Sequence, residues 1–268
     1  MAPVLNIDFL NSKFFGNSLD LMKYDLLTFI LTQSTRLSLF YVPMITEPQP
    51  KERNLKYTTY ELGSLNDTLF QLMVREFNKE YSDISLIRDY FLSRGIHLSI
   101  LNPDGTDNGV AYFEEQIRKG YFDQAIQHYK SLVNTTLVYI DPDVGSDVGI
   151  TRRYRSNRKL YVRKLELLRV KNCLKAGDFM AYFQHLGNSN YTIDKRLKDL
   201  NECFGDWVLF IGYSRIQAGM VLVFNDEVTY MDNRKLIEHY FRQYDHLKHK
   251  DKFIIKGKPL KSSGFFAL

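Results

Sequence analysis

At 268 residues the chain is long enough to bury one substantial core. Its 44% apolar and 25% charged content excludes a disordered chain, and no apolar run reaches the length of a membrane span. The net charge of +5 is unevenly placed: between Arg152 and Lys175 lie ten Lys or Arg residues against one acid, Glu166. Such a run is usually a solvated face and, less often, a phosphate or nucleic-acid contact. Cys173 and Cys203 have neither metal spacing nor a disulfide framework, and the first residues lack the pattern of a leader. A cytoplasmic location is expected.

Apolar residues at helical spacing over Leu21–Thr32 predict a first helix, begun by Ser18 or Asp20. Leu37–Val42 predicts a buried strand ended by Pro43, and the polar stretch Thr46–Tyr60 a surface excursion. Helices follow over Leu65–Lys79 and Ser85–Ser93, then a short strand over His97–Leu101, closed by the turn Asn102-Pro103-Asp104-Gly105. A helical region spans Val110–Leu132 with a break near Gly120. Leu137–Ile140 is a third strand, running into Asp141-Pro142-Asp143-Val144-Gly145. Tyr161–Leu174 reads as helix, Phe179–Phe183 as strand and Ile193–Cys203 as helix, an alternation that makes a parallel sheet covered by helices. Trp207–Gly212 and Met220–Phe224 are separated by too few residues for a crossover helix and should pair antiparallel. A charged helix carrying His239, His246 and His249 precedes the basic segment from Lys250, expected as a disordered tail or an added edge strand.

A strand that stops at Asp-Pro delivers a carboxylate to the carboxyl edge of a sheet, where open α/β sheets place ligands and reacting groups. Asp141 is therefore the first candidate, with Pro142, Asp143 and Gly145 completing its loop. His185 follows the next strand at the same edge; a buried, satisfied histidine is as good a reading of it as a functional one. Lys23, in the first turn of the first helix, opposes the helix dipole, which slightly favours a phosphate or ion-pair role, although an ordinary exposed lysine is the better reading by about two to one. Asp20 is an N-terminal acid of that helix or a site residue.

Three stretches together resemble the adenine-N6 methyltransferases of large-subunit ribosomal RNA. Phe15-Gly16-Asn17, Asp20, Lys23 and Tyr24 are similar to that family's Ala-Gly-Asn-x-x-Asp-x-x-Lys-His segment. Tyr139-Ile140-Asp141-Pro142 is similar to its Asp-Pro-Pro-aromatic strand end, and Ala218-Gly219-Met220-Val221-Leu222-Val223-Phe224-Asn225 to its Ser-Gly-Met-Ile-Val-Ile-Asn. A nearer resemblance is to a group of bacterial proteins carrying Phe-Gly, Asp-x-x-Lys-Tyr-Asp-Leu-Leu, Asp-Pro-Asp-x-Gly and Gln-His. The matching residues are Phe15-Gly16, Asp20, Lys23 to Leu27, Asp141 to Gly145 and Gln184-His185. That second resemblance implies no activity by itself.

The first implies a Rossmann-like class I methyltransferase sheet, mostly parallel with a C-terminal antiparallel hairpin strand, in one α/β domain over residues 1–249 followed by a basic tail, 250–268. It implies an S-adenosylmethionine-dependent transferase acting on a nucleic-acid base, with Asp141 accepting the target amine and Lys23 holding a phosphate or the cofactor carboxylate. Asp143 and His185 complete the catalytic set; Gly16, Asn17, Asp20, Pro142, Gly145 and Asn102 bind substrate or cofactor. The basic run, led by Arg152, Arg153, Arg155, Arg158 and Lys159, would contact nucleic acid. The chain departs from the pattern in three places. Asp143 and Val144 replace the second proline and the stacking aromatic, no glycine occurs between Gly16 and Gly63, and Asn102 stands where an acid is expected.

Two alternatives use the same residues. A metal-dependent nuclease or phosphodiesterase would hold Mg²⁺ on Asp141, Asp143 and Glu166. A catalytically silent scaffold would keep only nucleic-acid or protein binding, and a homo-oligomer is left open.

Overall fold

The computed structural model describes residues 18–34, 36–44, 63–77, 85–101, 116–142, 145–148, 161–185, 190–213, 218–244 and 253–258. Among them a seven-stranded sheet runs in the order β2-β1-β3-β6-β8-β7-β9. Its strands are β1 (Leu37–Met44), β2 (Leu98–Ile100), β3 (Thr135–Pro142), β6 (Phe179–His185), β7 (Val208–Tyr213), β8 (Ala218–Phe224) and β9 (Phe253–Gly257). The pairs β1–β2, β1–β3 and β3–β6 are parallel, whereas β8 pairs antiparallel with both β6 and β7. The antiparallel pairing expected for the last two apolar strands is thus observed. The basic C-terminal segment supplies β9, an added edge strand antiparallel to β7, so the sheet extends past residue 249.

Both faces of the sheet are buried, as parallel strands require. Along β3, Leu137 and Tyr139 enter one core while Val138 and Ile140 enter the other; β1 divides Leu39 and Tyr41 from Phe40, Val42 and Met44 in the same way. The first core is covered by α1 (Ser18–Thr32), α2 (Asp67–Phe77), α3 (Ser85–Ser93) and α7 (Glu227–Gln243), the second by α4 (Arg118–Ser131), α5 (Lys164–Lys171) and α6 (Asn190–Phe204). Each fully buried Leu, Ile, Phe or Met side chain contributes about 1.5–3 kcal/mol.

Three expectations are corrected. β1 does not end at Pro43 but runs to Met44. Tyr41 accepts from Leu101 N and Leu39 donates to His97 O, so odd-numbered residues of β1 direct their backbone groups towards β2. Among the described residues pairing with β2 stops at Tyr41↔Ile100, so the N–H that Pro43 lacks would meet no described strand on that side, where proline is tolerated. The Tyr121 hydroxyl donates to the Pro43 carbonyl.

The helix predicted over Tyr161–Leu174 starts later, because Tyr161–Val162 form β5 and pair in parallel with β4 (Gly145–Ser146). Glu166 accepts from Arg163 N at 2.8 Å, which fixes the new helix start. Gly120 lies inside α4 without breaking it.

Candidate functional site

Period-two alternation places Leu137, Tyr139 and Asp141 on the face of β3 that meets α1. The neighbouring strand is in register, with Tyr41 opposite Tyr139 and Pro43 opposite Asp141. The two tyrosine rings stack, centroids 5.5 Å apart at 19°. Their hydroxyls converge on the carboxylate: Tyr139 donates to Oδ1 at 2.9 Å and Tyr41 to Oδ2 at 2.9 Å. From α1 the Lys23 ammonium donates to Oδ1 at 3.0 Å and the Tyr24 hydroxyl to Oδ2 at 3.4 Å. A carboxylate offers about four acceptor positions, and all are taken, the Tyr24 contact being the longest.

Lys23 also meets Asp20, one turn earlier, at 2.7 Å. Its ammonium lies 4.9 Å from the centroid of the Phe183 ring, contributed by β6. The side chains of Lys23 and Asp20 are 8% exposed and that of Asp141 is 10% exposed, so the cluster is nearly dry but reached by solvent at its rim. Burial alone would lower the Lys23 pKa, yet Asp141 and Asp20 outweigh it and hold the ammonium charged above the usual lysine range. Burial, reinforced by Asp141, raises Tyr24, Tyr41 and Tyr139, so all three remain neutral donors. Among the described residues the cluster sets two carboxylates, Asp20 and Asp141, about the Lys23 ammonium.

The loop after Asp141 is tethered. Pro142 is buried and Gly145 has φ +128°, a conformation that side chains resist. A Cβ on Gly145 would lie 2.6 Å from Gln184 Nε2. Gln184 Oε1 accepts from Ser146 N at 3.0 Å and Ser146 Oγ at 2.8 Å, while Asp147 accepts from Lys164 N at 2.6 Å. The chain leaves Asp141, passes Gly145 and is pinned to β6 at Gln184, next to Phe183.

The structure thus brings together Asp20, Lys23 and Asp141, and fixes Pro142 and Gly145 beside them. Gly16, Asn17, Asn102, Asp143, Arg152, Arg153, Arg155, Arg158 and Lys159 lie outside the described residues. The backbone of His185 ends β6 opposite Ala218, and its side chain is outside the description.

Glu166 belongs to a different assembly. It takes Arg118 Nη1 at 2.6 and 2.9 Å as well as Arg163 N, while Arg118 Nη2 donates to the Tyr161 carbonyl. Burial raises its pKa against the pull of Arg118 and Arg163. This pair clamps α4 to α5 and occupies the oxygens that the metal reading assigns to Mg²⁺. Among the described residues no three His, Cys, Asp or Glu side chains gather to hold a metal ion, and no helix is long and apolar enough to cross a membrane.

Sequence reading gave no site role to Tyr24, Tyr41, Tyr139, Phe183, Ser146 or Gln184, although Tyr24, Tyr139 and Gln184 stand within its motifs. The signal was present for two of them, since Tyr139 precedes Asp141 by one period and Tyr41 sits at the same height on the preceding strand. No protein-family model matches this chain, and no curated protein is significantly similar to it. The fold and site define a mixed α/β protein with a carboxylate–lysine–tyrosine cluster at the carboxyl end of a central parallel strand.

Proposed function

We propose that this chain is a methyltransferase-like protein that takes an amino-bearing nucleic-acid base at Asp141. The observation that carries the reading is the Asp141 carboxylate itself. It ends a central strand at the sheet edge that open α/β proteins use for ligands, oriented by Lys23, Tyr41 and Tyr139. Such a group attracts an N–H donor rather than a phosphate. An exocyclic amine would replace the long Tyr24 contact on Oδ2 and leave the three shorter ones in place. A mostly parallel sheet finished by an antiparallel hairpin strand supports the class I methyltransferase relation.

The residues do not fit the methyl donor. β1 leaves through Pro43 and Met44, with the Pro43 carbonyl taken by Tyr121, and no glycine occurs between Gly16 and Gly63. Lys23, the cation that the resemblance offers to the donor's carboxylate, is held by two carboxylates. No step is routed through S-adenosylmethionine. This misfit, with the filled acceptor positions of Asp141, favours as second reading a binding protein that has kept the scaffold without the transfer.

The test titrates the full chain with adenine- and cytosine-bearing single-stranded oligonucleotides, and separately with S-adenosylhomocysteine in a thermal-shift experiment. Base binding that weakens about tenfold in Asp141→Asn supports the Asp141 site, since a charge-assisted hydrogen bond contributes about 1.5–3 kcal/mol. A rise in Tm with S-adenosylhomocysteine would favour the enzyme, because a ligand bound only by the folded state must stabilise it. Base binding without that rise favours the binding protein. Oligonucleotide affinity unchanged in Asp141→Asn refutes both.

A further inference from the structure

A cavity of about 190 Å³ opens between α1, the start of α2, Arg94 just after α3 and the C-terminal end of α7. From Leu21 to Leu31, α1 is buried except for half-buried Phe29, so every polar group there needs a partner. Lys23 is directed to Asp141. Asp25, Thr28 and, a turn further on, Thr32 line the cavity with Phe29, at the i, i+3, i+4 and i+7 spacing of one helix face.

The floor of this cavity is built of acceptors. Asp25 Oδ2 accepts from Tyr240 at 2.7 Å and Tyr244 at 2.9 Å, and Oδ1 accepts from Asn66 Nδ2 at 2.9 Å. Of about four acceptor positions on a carboxylate, one on Oδ1 is left. Thr28 donates its hydroxyl proton to the Tyr24 carbonyl at 2.6 Å and Thr32 donates to the Thr28 carbonyl at 2.8 Å, so each presents lone pairs. At the mouth stands the opposite charge: Arg94, exposed, 5.9 Å from the centroid of the Tyr90 ring. Leu65 and Phe29 supply apolar lining.

We propose that this cavity binds a small zwitterion, with an ammonium inward on Asp25 and a carboxylate outward at Arg94. An engineered cavity of about 150 Å³ holds benzene, so this one suits a ligand of roughly seven to ten non-hydrogen atoms. A floor and a mouth of opposite sign call for charges at the two ends of a short methylene chain. A short ω-amino acid has them there, whereas an α-amino acid carries them side by side. The site is separate from Asp141 and does not rest on the methyltransferase reading.

Isothermal titration calorimetry of the full chain with 4-aminobutyrate and 6-aminohexanoate tests it, with butylamine and butyrate as single-charge controls. At least one aminoalkanoate binds, both controls bind at least about tenfold more weakly, and Asp25→Asn and Arg94→Ala each weaken the zwitterion by at least about tenfold. Should Asp25→Asn fail to fold, Arg94→Ala, altered at the exposed mouth, carries the test alone. No heat from either aminoalkanoate at about 10 mM, well above the millimolar range expected of such small ligands, overturns the proposal. So does affinity unchanged in Arg94→Ala, or butylamine binding as tightly as the zwitterions.

Discussion

Replacing Lys23 by Met removes the ammonium, and with it the contact to the Phe183 ring, while keeping an unbranched side chain of similar bulk. Two buried carboxylates, Asp20 and Asp141, then lose the cation that stood 2.7 and 3.0 Å from them. Breaking a buried ion pair from one side costs about 3–5 kcal/mol, because the remaining charge stays buried without compensation; an exposed pair would cost at most about 1 kcal/mol. At about 2–4 °C per kcal/mol for a chain of this size, Tm falls by roughly 6–20 °C. Urea unfolding at pH 7 measures the loss as a lower midpoint with an unchanged slope.

The sign with pH follows from linkage. Lys23 is raised above the usual lysine range in the folded state, so the stability it contributes is fully present below about pH 10 and is lost as pH rises through its folded pKa; the deficit of Lys23→Met is therefore largest below about pH 10. Adding Asp141→Asn to Lys23→Met should recover about 1–3 kcal/mol relative to the sum of the single changes. A loss under about 1 kcal/mol at pH 7 would refute the buried bridge.

Gly145→Ala forces a side chain into φ +128° and sets its Cβ 2.6 Å from Gln184 Nε2 and 3.0 Å from Gln184 Cα. We expect a loss of about 2–4 kcal/mol, from backbone strain and from the Ser146–Gln184 contacts that must shift. A change within about 0.5 kcal/mol, typical of an unremarkable surface site, would mean that the loop is not held against β6. In alkali, Tyr24, Tyr41 and Tyr139 have folded pKa values raised above the ordinary 10.0, and Lys23 above 10.5. The unfolded chain loses these protons first, so the stability present below about pH 10 is lost as pH rises above it. Tyrosine absorbance near 295 nm (the phenolate band) should therefore show a set of hydroxyls that ionise only together with loss of circular dichroism. Complete ionisation while the protein stays folded would refute their burial against Asp141.

Much of the fold was legible because its strands are buried on both faces. Continuous apolar runs such as Leu137–Ile140 and Met220–Phe224 admit little else between turn signals, and a short link between the last two strands leaves only an antiparallel pair. The misses lie where a tertiary partner overrides the local pattern. Tyr161 and Val162 carry helix-compatible neighbours, yet they pair with Gly145 and Ser146, a contact between segments whose relation no local period reveals. Pro43 ended the predicted strand because proline lacks an N–H. Only the register shows that β1 runs three residues past its last pair with β2, so that the missing donor meets no strand among the described residues.

The site was legible in its position but not in its charge. An Asp at the end of a central strand and an Asp–Lys pair at the start of a helix both read as edge features, and they do meet. Tyrosine hid the rest. Tyr41 and Tyr139 fill apolar positions in the alternation, and sequence counts them as core because most of their surface is hydrocarbon. Their hydroxyls nevertheless decide how Asp141 behaves, by filling acceptor positions that a free carboxylate would offer to a ligand. Lys23 was read alone: as an isolated residue it is a cation available to phosphate, while in the fold it lies between two acids that pair with it. That pairing belongs to the contact between α1 and β3, and neither the Asp-x-x-Lys spacing nor the strand-ending Asp-Pro reveals it separately.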